Sequence, residues 1–142
     1  MKVTGCSFFL LMIFVSVHCS KTSSKKGTTN PSLDDPYIID IVLCVEVVNN
    51  KPAGITTVFT EHDEIHLWIE WDNIFDRHEL TVEWINLDGN LELRDNITFT
   101  SDNGRQVTWF AIKPGIPVKK GSWEVVVYLD GIFERSLFFE II

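Results

Sequence analysis

The chain has 142 residues, of which 45% are hydrophobic, and a formal net charge of −8. This length suits one domain, and the apolar residues supply enough buried surface for a core without a metal or disulfide framework. From Asp34 onward, twenty acidic residues stand against eight basic ones, so the body carries −12. Such a body repels phosphate backbones, which argues against nucleic-acid binding, and we expect no cofactor.

Residues 1–19 have the pattern of an export signal. Lys2 supplies a positive start, and residues 8–15 form an unbroken apolar run. This run is too short for a transmembrane helix, which needs about twenty apolar residues. We therefore predict a signal peptide and an exported protein, either secreted or held in the cell envelope, in the periplasm or at the outer surface.

Residues 20–36 form a polar tether rich in Ser, Thr and Lys, directly after Cys19. An apolar run, a cysteine and a flexible spacer resemble a bacterial lipoprotein leader, which implies that Cys19 is the lipid-attachment site and the only link to a membrane. The leader departs from that pattern, since Ser16 and His18 stand where Leu and a small residue are usual. The alternative is ordinary cleavage, with Cys19 lost or left as a thiol.

Residues 37–142 alternate apolar and polar side chains with the period of β-strands, and no ten-residue stretch has a helical period. The first strand is predicted to bury Ile39, Ile41, Leu43, Val45 and Val47. Turn formers follow at residues 49–54. Six further strands are predicted around residues 65–71, 80–84, 91–99, 107–112, 123–129 and 137–141. The strand at 107–112 is apolar on both faces, so its inward face stays open.

Two Asp-Gly pairs, Asp88-Gly89 and Asp130-Gly131, lie between alternating runs and predict tight hairpins. About seven short strands with frequent turns favour an all-β fold, a two-sheet antiparallel sandwich, because each sheet buries one face against the other. The Cys-Trp-Cys spacing of antibody domains is missing from the sequence.

The closing stretch resembles the last hairpin of immunoglobulin-like domains in bacterial surface and periplasmic proteins. The resemblance rests on Gly121-Ser122-Trp123, on residues 125–131 with the sequence VVVYLDG, and on a final Phe-x-Ile strand ending at Ile141. It covers roughly the last thirty residues. It implies an immunoglobulin-like sandwich that serves binding, spacing or assembly outside the cytoplasm, and it brings no catalytic residues.

The densest group of candidate metal ligands is His62, Glu64 and His66. On a strand, these side chains would point the same way, and two imidazoles with a carboxylate can form an open zinc site. A small metal-dependent enzyme is therefore one alternative, and the other is a polar loop entering a strand. Because the sequence contains no nucleophile motif, we expect a protein that is not an enzyme.

Four apolar residues, Trp68, Val126, Tyr128 and Phe138, are predicted to point outward. A contiguous apolar patch rimmed by acidic residues would form a partner-binding face for a protein or another envelope component. Two alternatives are that the strand next to the leader, a loop or a second copy of the chain covers these side chains, or that the domain is a structural spacer. The alternation also places Cys44 on the polar face, where we expect partial exposure.

Overall fold

The computed structural model describes residues 34–86, 88–112 and 119–142, all within the compact unit Pro31–Ile142. The predicted signal peptide 1–19, Cys19 and residues 20–33 of the tether lie outside the described residues. Within the described residues, no helix is long and apolar enough to cross a membrane.

Nine strands form in the described part of the chain. They are β1 (Tyr37–Val48), β2 (Lys51–Ile55), β3 (Val58–Phe59), β4 (Ile65–Asp72), β5 (His78–Asn86), β6 (Leu91–Phe99), β7 (Gln106–Ile112), β8 (Gly121–Leu129) and β9 (Ile132–Ile141). They build a four-stranded sheet of order β2-β1-β4-β7 and a five-stranded sheet of order β3-β9-β8-β5-β6. All pairs are antiparallel except β3–β9, which is parallel. The prediction of an all-β, two-sheet fold is confirmed.

Two of these strands, β2 and β3, were not predicted. Asn49 and Asn50 both adopt positive φ, 50° and 61°, and Val48 pairs directly with Lys51. Two positive-φ residues between paired strands form the tight turn whose twist suits a hairpin. The turn formers at residues 49–54 therefore fold the chain back onto β1 and do not end the sheet.

The core lies between the two sheets and is rich in large side chains. Trp71 and Trp84 are its two largest fully buried members, and the ring of Phe139 lies between those of Trp84 and Trp123, 6.1 Å from each. The other members are Leu43, Phe59, Ile65, Leu67, Ile69, Ile74, Leu80, Val82, Phe99, Phe110, Ile112, Val125, Val127, Leu129 and Ile141. This set follows the predicted alternation in β4, β5 and β8.

The predicted inward set of β1 is only partly correct. Ile38 pairs with Trp71 and Asp40 with Glu70, so Ile39 is the extra residue of a bulge and is exposed. Ile41 and Leu43 face the core as predicted. Val45 is exposed because Cys44–His66 is the last described β1–β4 pair, and beyond it β1 pairs with β2.

The open question about residues 107–112 is resolved by the packing of β7. Thr108, Phe110 and Ile112 are buried, and the buried Trp71 indole bonds to the Thr108 hydroxyl. The opposite residues, among them Trp109, face outward. The predicted hairpin at Asp130-Gly131 is confirmed, with φ values of 51° and 77°.

Candidate functional site

The four residues predicted to form one partner-binding face lie on two different sheets. Val126, Tyr128 and Phe138 are on the outer face of the five-stranded sheet, whereas Trp68 is on the outer face of the four-stranded sheet. Because the sandwich core separates these faces, the four side chains do not form one patch. This corrects the expectation of a single surface.

On the five-stranded sheet, the two predicted outward residues of β8 differ in exposure. Val126 is buried between its cross-strand neighbours Glu83 and Ser136. Tyr128 is half-buried, and its ring packs edge-on against Phe133 at a centroid distance of 6.3 Å. Burial raises the pKa of the Tyr128 phenol, and the nearby Glu83 carboxylate raises it further. Because Val126 is buried, it supports the sheet and offers a partner little contact area.

Strand β9 carries the most exposed apolar side chains of this sheet. Phe138 is 67% exposed and Phe133 is 59% exposed, and Ile132 is exposed as well. Phe138 lies in the predicted last strand, 137–141, whereas Ile132 and Phe133 precede it and were not predicted to be exposed. The Asp130-Gly131 turn was the available signal, since a two-residue turn requires a strand to begin at Ile132.

Most of β9 also lacks a second neighbour among the described strands. β8 pairs with it from Ile132 to Ile141, but β3 reaches only Glu140 and Ile141. Between those points, one side of β9 has no partner in the described part of the chain. We call this edge, together with Ile132, Phe133 and Phe138, the β9 surface. An edge strand of this kind can accept another strand.

Acidic side chains surround the outer part of the β9 surface. Glu124 lies directly opposite Phe138 on β8, and Glu140 lies two residues further along β9 on the same face. Beside Phe138 is a shallow hollow of about 230 Å³, which Ile85 and Glu124 help to line. Phe138 therefore has acidic neighbours on β8 and β9, whereas the exposed Arg135 lies on the stretch of β9 between Phe138 and Phe133.

On the other sheet, Trp68 is only 6% exposed, contrary to expectation. Its Nε1 donates a 2.9 Å hydrogen bond to the carbonyl of Asn50 in the β1–β2 turn. The hairpin thus shields the indole, which is why the alternation placed Trp68 on the correct face but gave the wrong exposure. Trp109 lies opposite Trp68 in register and is 50% exposed.

Two adjoining hollows open on this face, and we call them together the Trp68 cleft. One has a volume of about 470 Å³ and is lined by Trp68, Asp40 and Lys51, and the other has about 410 Å³ and is lined by Arg105 and Gln106. Both hollows share Asn50, Glu70 and Val107 as lining residues. They therefore form one continuous depression along the sheet.

Ion pairs hold the Arg105 side chain at one end of the cleft. Its Nη1 lies 3.8 Å from Glu70 Oε1 and its Nη2 lies 3.5 Å from Asp72 Oδ2. Asp72 also accepts a 3.1 Å hydrogen bond from the Tyr37 hydroxyl. The Asn73 backbone N–H, together with Tyr37 and Arg105, lowers the pKa of Asp72. The guanidinium is nevertheless exposed and accessible to a ligand.

The structure does not bring His62, Glu64 and His66 together as ligands. β4 begins at Ile65, and Asp63 bends the preceding loop by accepting hydrogen bonds from the N–H and hydroxyl of Thr60 at 2.6 and 2.9 Å. His62 is exposed, whereas His66 is buried beside Trp109 with its Nε2 3.5 Å from Glu64. Among the described residues, no group of three His, Cys, Asp or Glu side chains is placed to hold a metal ion.

Cys44 lies on the outer face opposite His66, as the alternation predicted, but it is 0% exposed. The expectation of partial exposure is therefore wrong. Burial raises the pKa of its thiol, although hydrogen bonds with the backbone of Glu46 and Ala53 act in the opposite direction. In the structure Cys44 is a free thiol.

Comparison with known proteins identifies the fold. No protein-family model and no characterised protein sequence matches the chain. The C-terminal domain of Wzt is similar, with a TM-score of 0.54 and 14% identity over 75% of this chain and 73% of that one. An immunoglobulin-like protein from Pseudomonas aeruginosa has a TM-score of 0.53 and 14% identity over 76% of this chain and 97% of its own. The domain is an immunoglobulin-like β-sandwich, as the closing hairpin indicated.

Proposed function

We propose that this chain is an exported, non-catalytic binding module of the bacterial cell envelope that holds a protein partner on its β9 surface. The observation that supports this most directly is the combination of Phe133 and Phe138, both more than half exposed, with an unpartnered strand edge in the described part of the chain. Exposed aromatic residues around an open edge are typical of binding surfaces.

The partner we propose is an extended segment that adds a strand beside β9. Backbone hydrogen bonds to the edge would supply affinity, and apolar side chains of the partner would pack on Phe138 and Phe133. Because Glu124 and Glu140 flank Phe138, the segment should carry basic residues next to its apolar ones. Strand addition beside β9 requires no reacting group, which is consistent with a binding role.

Export and anchoring are further parts of the proposal and depend on the sequence alone. The leader at residues 1–19 supports export, and the cysteine with its polar tether supports a lipid anchor at Cys19. A flexible tether of this length would hold the domain on the order of 20 Å from the membrane. The spacing would let the β9 surface meet a partner in the envelope.

The partner surface is tested by placing a photo-crosslinking amino acid at Phe138 in the full chain, expressed in its native host. We expect a discrete adduct with one envelope protein. The matched control is Thr98, which is exposed on the same sheet face but on the distant strand β6. An equal adduct from Thr98, or none from Phe138, would contradict the proposal, and the absence of any adduct would favour a structural spacer.

The anchor is tested separately by metabolic labelling with an alkyne fatty acid. The wild-type chain should take up the label, Cys19→Ser should lose it, and Cys44→Ser should keep it. An unlabelled wild-type chain would mean ordinary cleavage of the leader, and it would leave the β9 surface proposal unaffected.

A further inference from the structure

The Trp68 cleft lies on the sheet opposite the β9 surface and has the size and shape of a ligand site. Each of its hollows falls within the range of about 300–1,000 Å³ in which small-molecule sites occur. The two hollows adjoin along Asn50, Glu70 and Val107, so the cleft is elongated and exceeds the length of a single compact ligand. A chain-like ligand fits this form.

The charges that line the cleft balance, although the domain as a whole is strongly acidic. Among the lining residues, Asp40 and Glu70 supply two negative charges and Lys51 and Arg105 supply two positive ones, and Asp72, outside the lining, also pairs with Arg105. An anionic ligand would meet both carboxylates as well as the repulsion of the acidic body, and a cationic ligand would meet Lys51 and Arg105. The lining therefore favours a ligand without net charge.

The polar groups of the cleft include both hydrogen-bond donors and acceptors. Arg105 and Lys51 donate only, Asp40 and Glu70 accept only, and the Asn50 and Gln106 amides do both. A hydroxyl group is also a donor and an acceptor, so neighbouring hydroxyls on a ligand can use this mixed lining. An apolar ligand would leave these groups without partners, at a cost in binding free energy.

Aromatic surface completes the site. Trp68 lines the inner hollow, and Trp109 is its in-register neighbour on β7, two residues beyond Val107 on the same face. The C–H face of a sugar ring is apolar and can pack flat against an indole ring. The Trp109 ring lies outside the lining of both hollows and leans against His66 at a centroid distance of 5.9 Å, but it is half exposed and adjoins Trp68, so a chain-like ligand that extends beyond the cleft can reach it.

The cleft is also largely preformed. The Trp68 indole is fixed by its hydrogen bond to Asn50, whereas the exposed Arg105 guanidinium lies 3.8 Å from Glu70 and 3.5 Å from Asp72, near enough for ion pairing. Groups that are already in position lose less entropy when a ligand binds. We propose that the Trp68 cleft binds a neutral polysaccharide, with Trp109 stacking on a sugar ring and Arg105 and Glu70 bonding to its hydroxyls.

Affinity electrophoresis of the full chain tests this proposal in native gels that contain dextran, mannan, galactomannan or xyloglucan. We expect retardation in at least one of these gels. Trp109→Ala and Arg105→Ala should each weaken the apparent affinity about five- to tenfold, by loss of the stacked ring and of the charged donor. Phe138→Ala is the matched control, an exposed aromatic on the other sheet, and should bind as the wild-type chain does.

Three results would overturn the proposal. The first is unchanged mobility in all four polysaccharide gels, and the second is retardation that both cleft variants retain. The third is retardation confined to a fifth gel that contains gelatin in place of a polysaccharide, which would identify a peptide ligand. Near-UV circular dichroism confirms that each variant is folded. Because the β9 surface is tested through Phe138 and the cleft through Trp109, failure of one proposal leaves the other intact.

Discussion

The indole of Trp71 lies inside the sandwich and donates a 2.9 Å hydrogen bond to the hydroxyl of Thr108, which joins β4 to β7 within the core. Both residues are buried, so neither group can form a hydrogen bond to water instead. A buried donor that loses its only acceptor costs more than an ordinary hydrogen bond contributes.

Replacing Thr108 with Val should therefore lower the free energy of unfolding by about 1–3 kcal/mol, because the shape is kept but the Trp71 N–H is left unpaired. Thr108→Ser is the matched control, since it retains the hydroxyl and loses one methyl group, at a cost of about 0.8 kcal/mol. Urea denaturation measures both variants. A Thr108→Val domain as stable as the wild type would show that this bond contributes nothing.

Gly54 should tolerate alanine less well than Gly131 does. Both have positive φ, +65° and +77°, so each pays about 1–2 kcal/mol of backbone strain on gaining a side chain. A Cβ at Gly54 would also lie 2.4 Å from Val45 Cγ2, whereas nothing lies within 4 Å of one at Gly131. We expect Gly54→Ala to lose about 1–3 kcal/mol more than Gly131→Ala in urea denaturation.

The cause of that difference can be checked with a second substitution. Val45→Ala removes the clashing methyl groups, and Val45 is exposed, so the substitution alone should be nearly neutral. In the Gly54→Ala background it should recover most of the excess loss. If the double variant is no more stable than Gly54→Ala, steric overlap with Val45 is not the cause.

The unfolding free energy should depend on pH through Asp130. Burial acts to raise the pKa of this carboxyl, but the Glu79 N–H, at 2.8 Å, and His78 Nδ1, at 2.7 Å, outweigh it and lower the pKa. A lowered native pKa stabilises the fold above the unfolded value near 4, and this stability is lost as the pH falls through the native value.

Asp130→Asn keeps a residue that tolerates the positive φ of this turn but removes the charge. Because the Asp130 carboxyl is half exposed, we expect the Asp130→Asn domain to be less stable than the wild type by at most about 1 kcal/mol at pH 7. The difference should shrink as the pH falls from about 5 to about 2. A difference that stays constant over this range would assign the effect to the turn and not to the charge.

The Cys44 thiol should react slowly in the folded protein, because it is fully buried and burial raises its pKa. With iodoacetamide at pH 8, we expect its alkylation to be at least about a hundredfold slower in buffer than in urea, followed by peptide mass spectrometry. Ser122→Cys, at an exposed position on β8, is the control and should react quickly in both conditions. Equal rates at Cys44 would contradict its burial.

The features predicted correctly from the sequence are those set by local patterns. The alternation in β4, β5 and β8 identifies the inward side chains because one face of each strand must be dry. Asp130-Gly131 identifies a hairpin because few residue pairs accept positive φ twice. These local rules suffice for the two-sheet fold.

The features missed depend on contacts between distant parts of the chain. Trp68 is shielded by the turn that carries the Asn50 carbonyl, eighteen residues away, and the alternation of residue types cannot predict such a contact. His62 and Glu64 lose the predicted strand geometry because the Asp63 side chain bends their loop first. The bulge at Ile39 shifts the register of β1 by one residue without any Gly or Pro to signal it.

The parallel pairing of β3 with the end of β9 also determines when the domain can fold during synthesis. Phe59 pairs with Ile141, so two residues that are more than eighty positions apart in the chain meet at this edge. Non-local contacts of this kind form late and slow the folding of sandwich domains. β9 lies between β3 and β8, so the five-stranded sheet remains open until the ribosome has added residue 141. Completion of this sheet is therefore expected only after the whole of β9 has been synthesised.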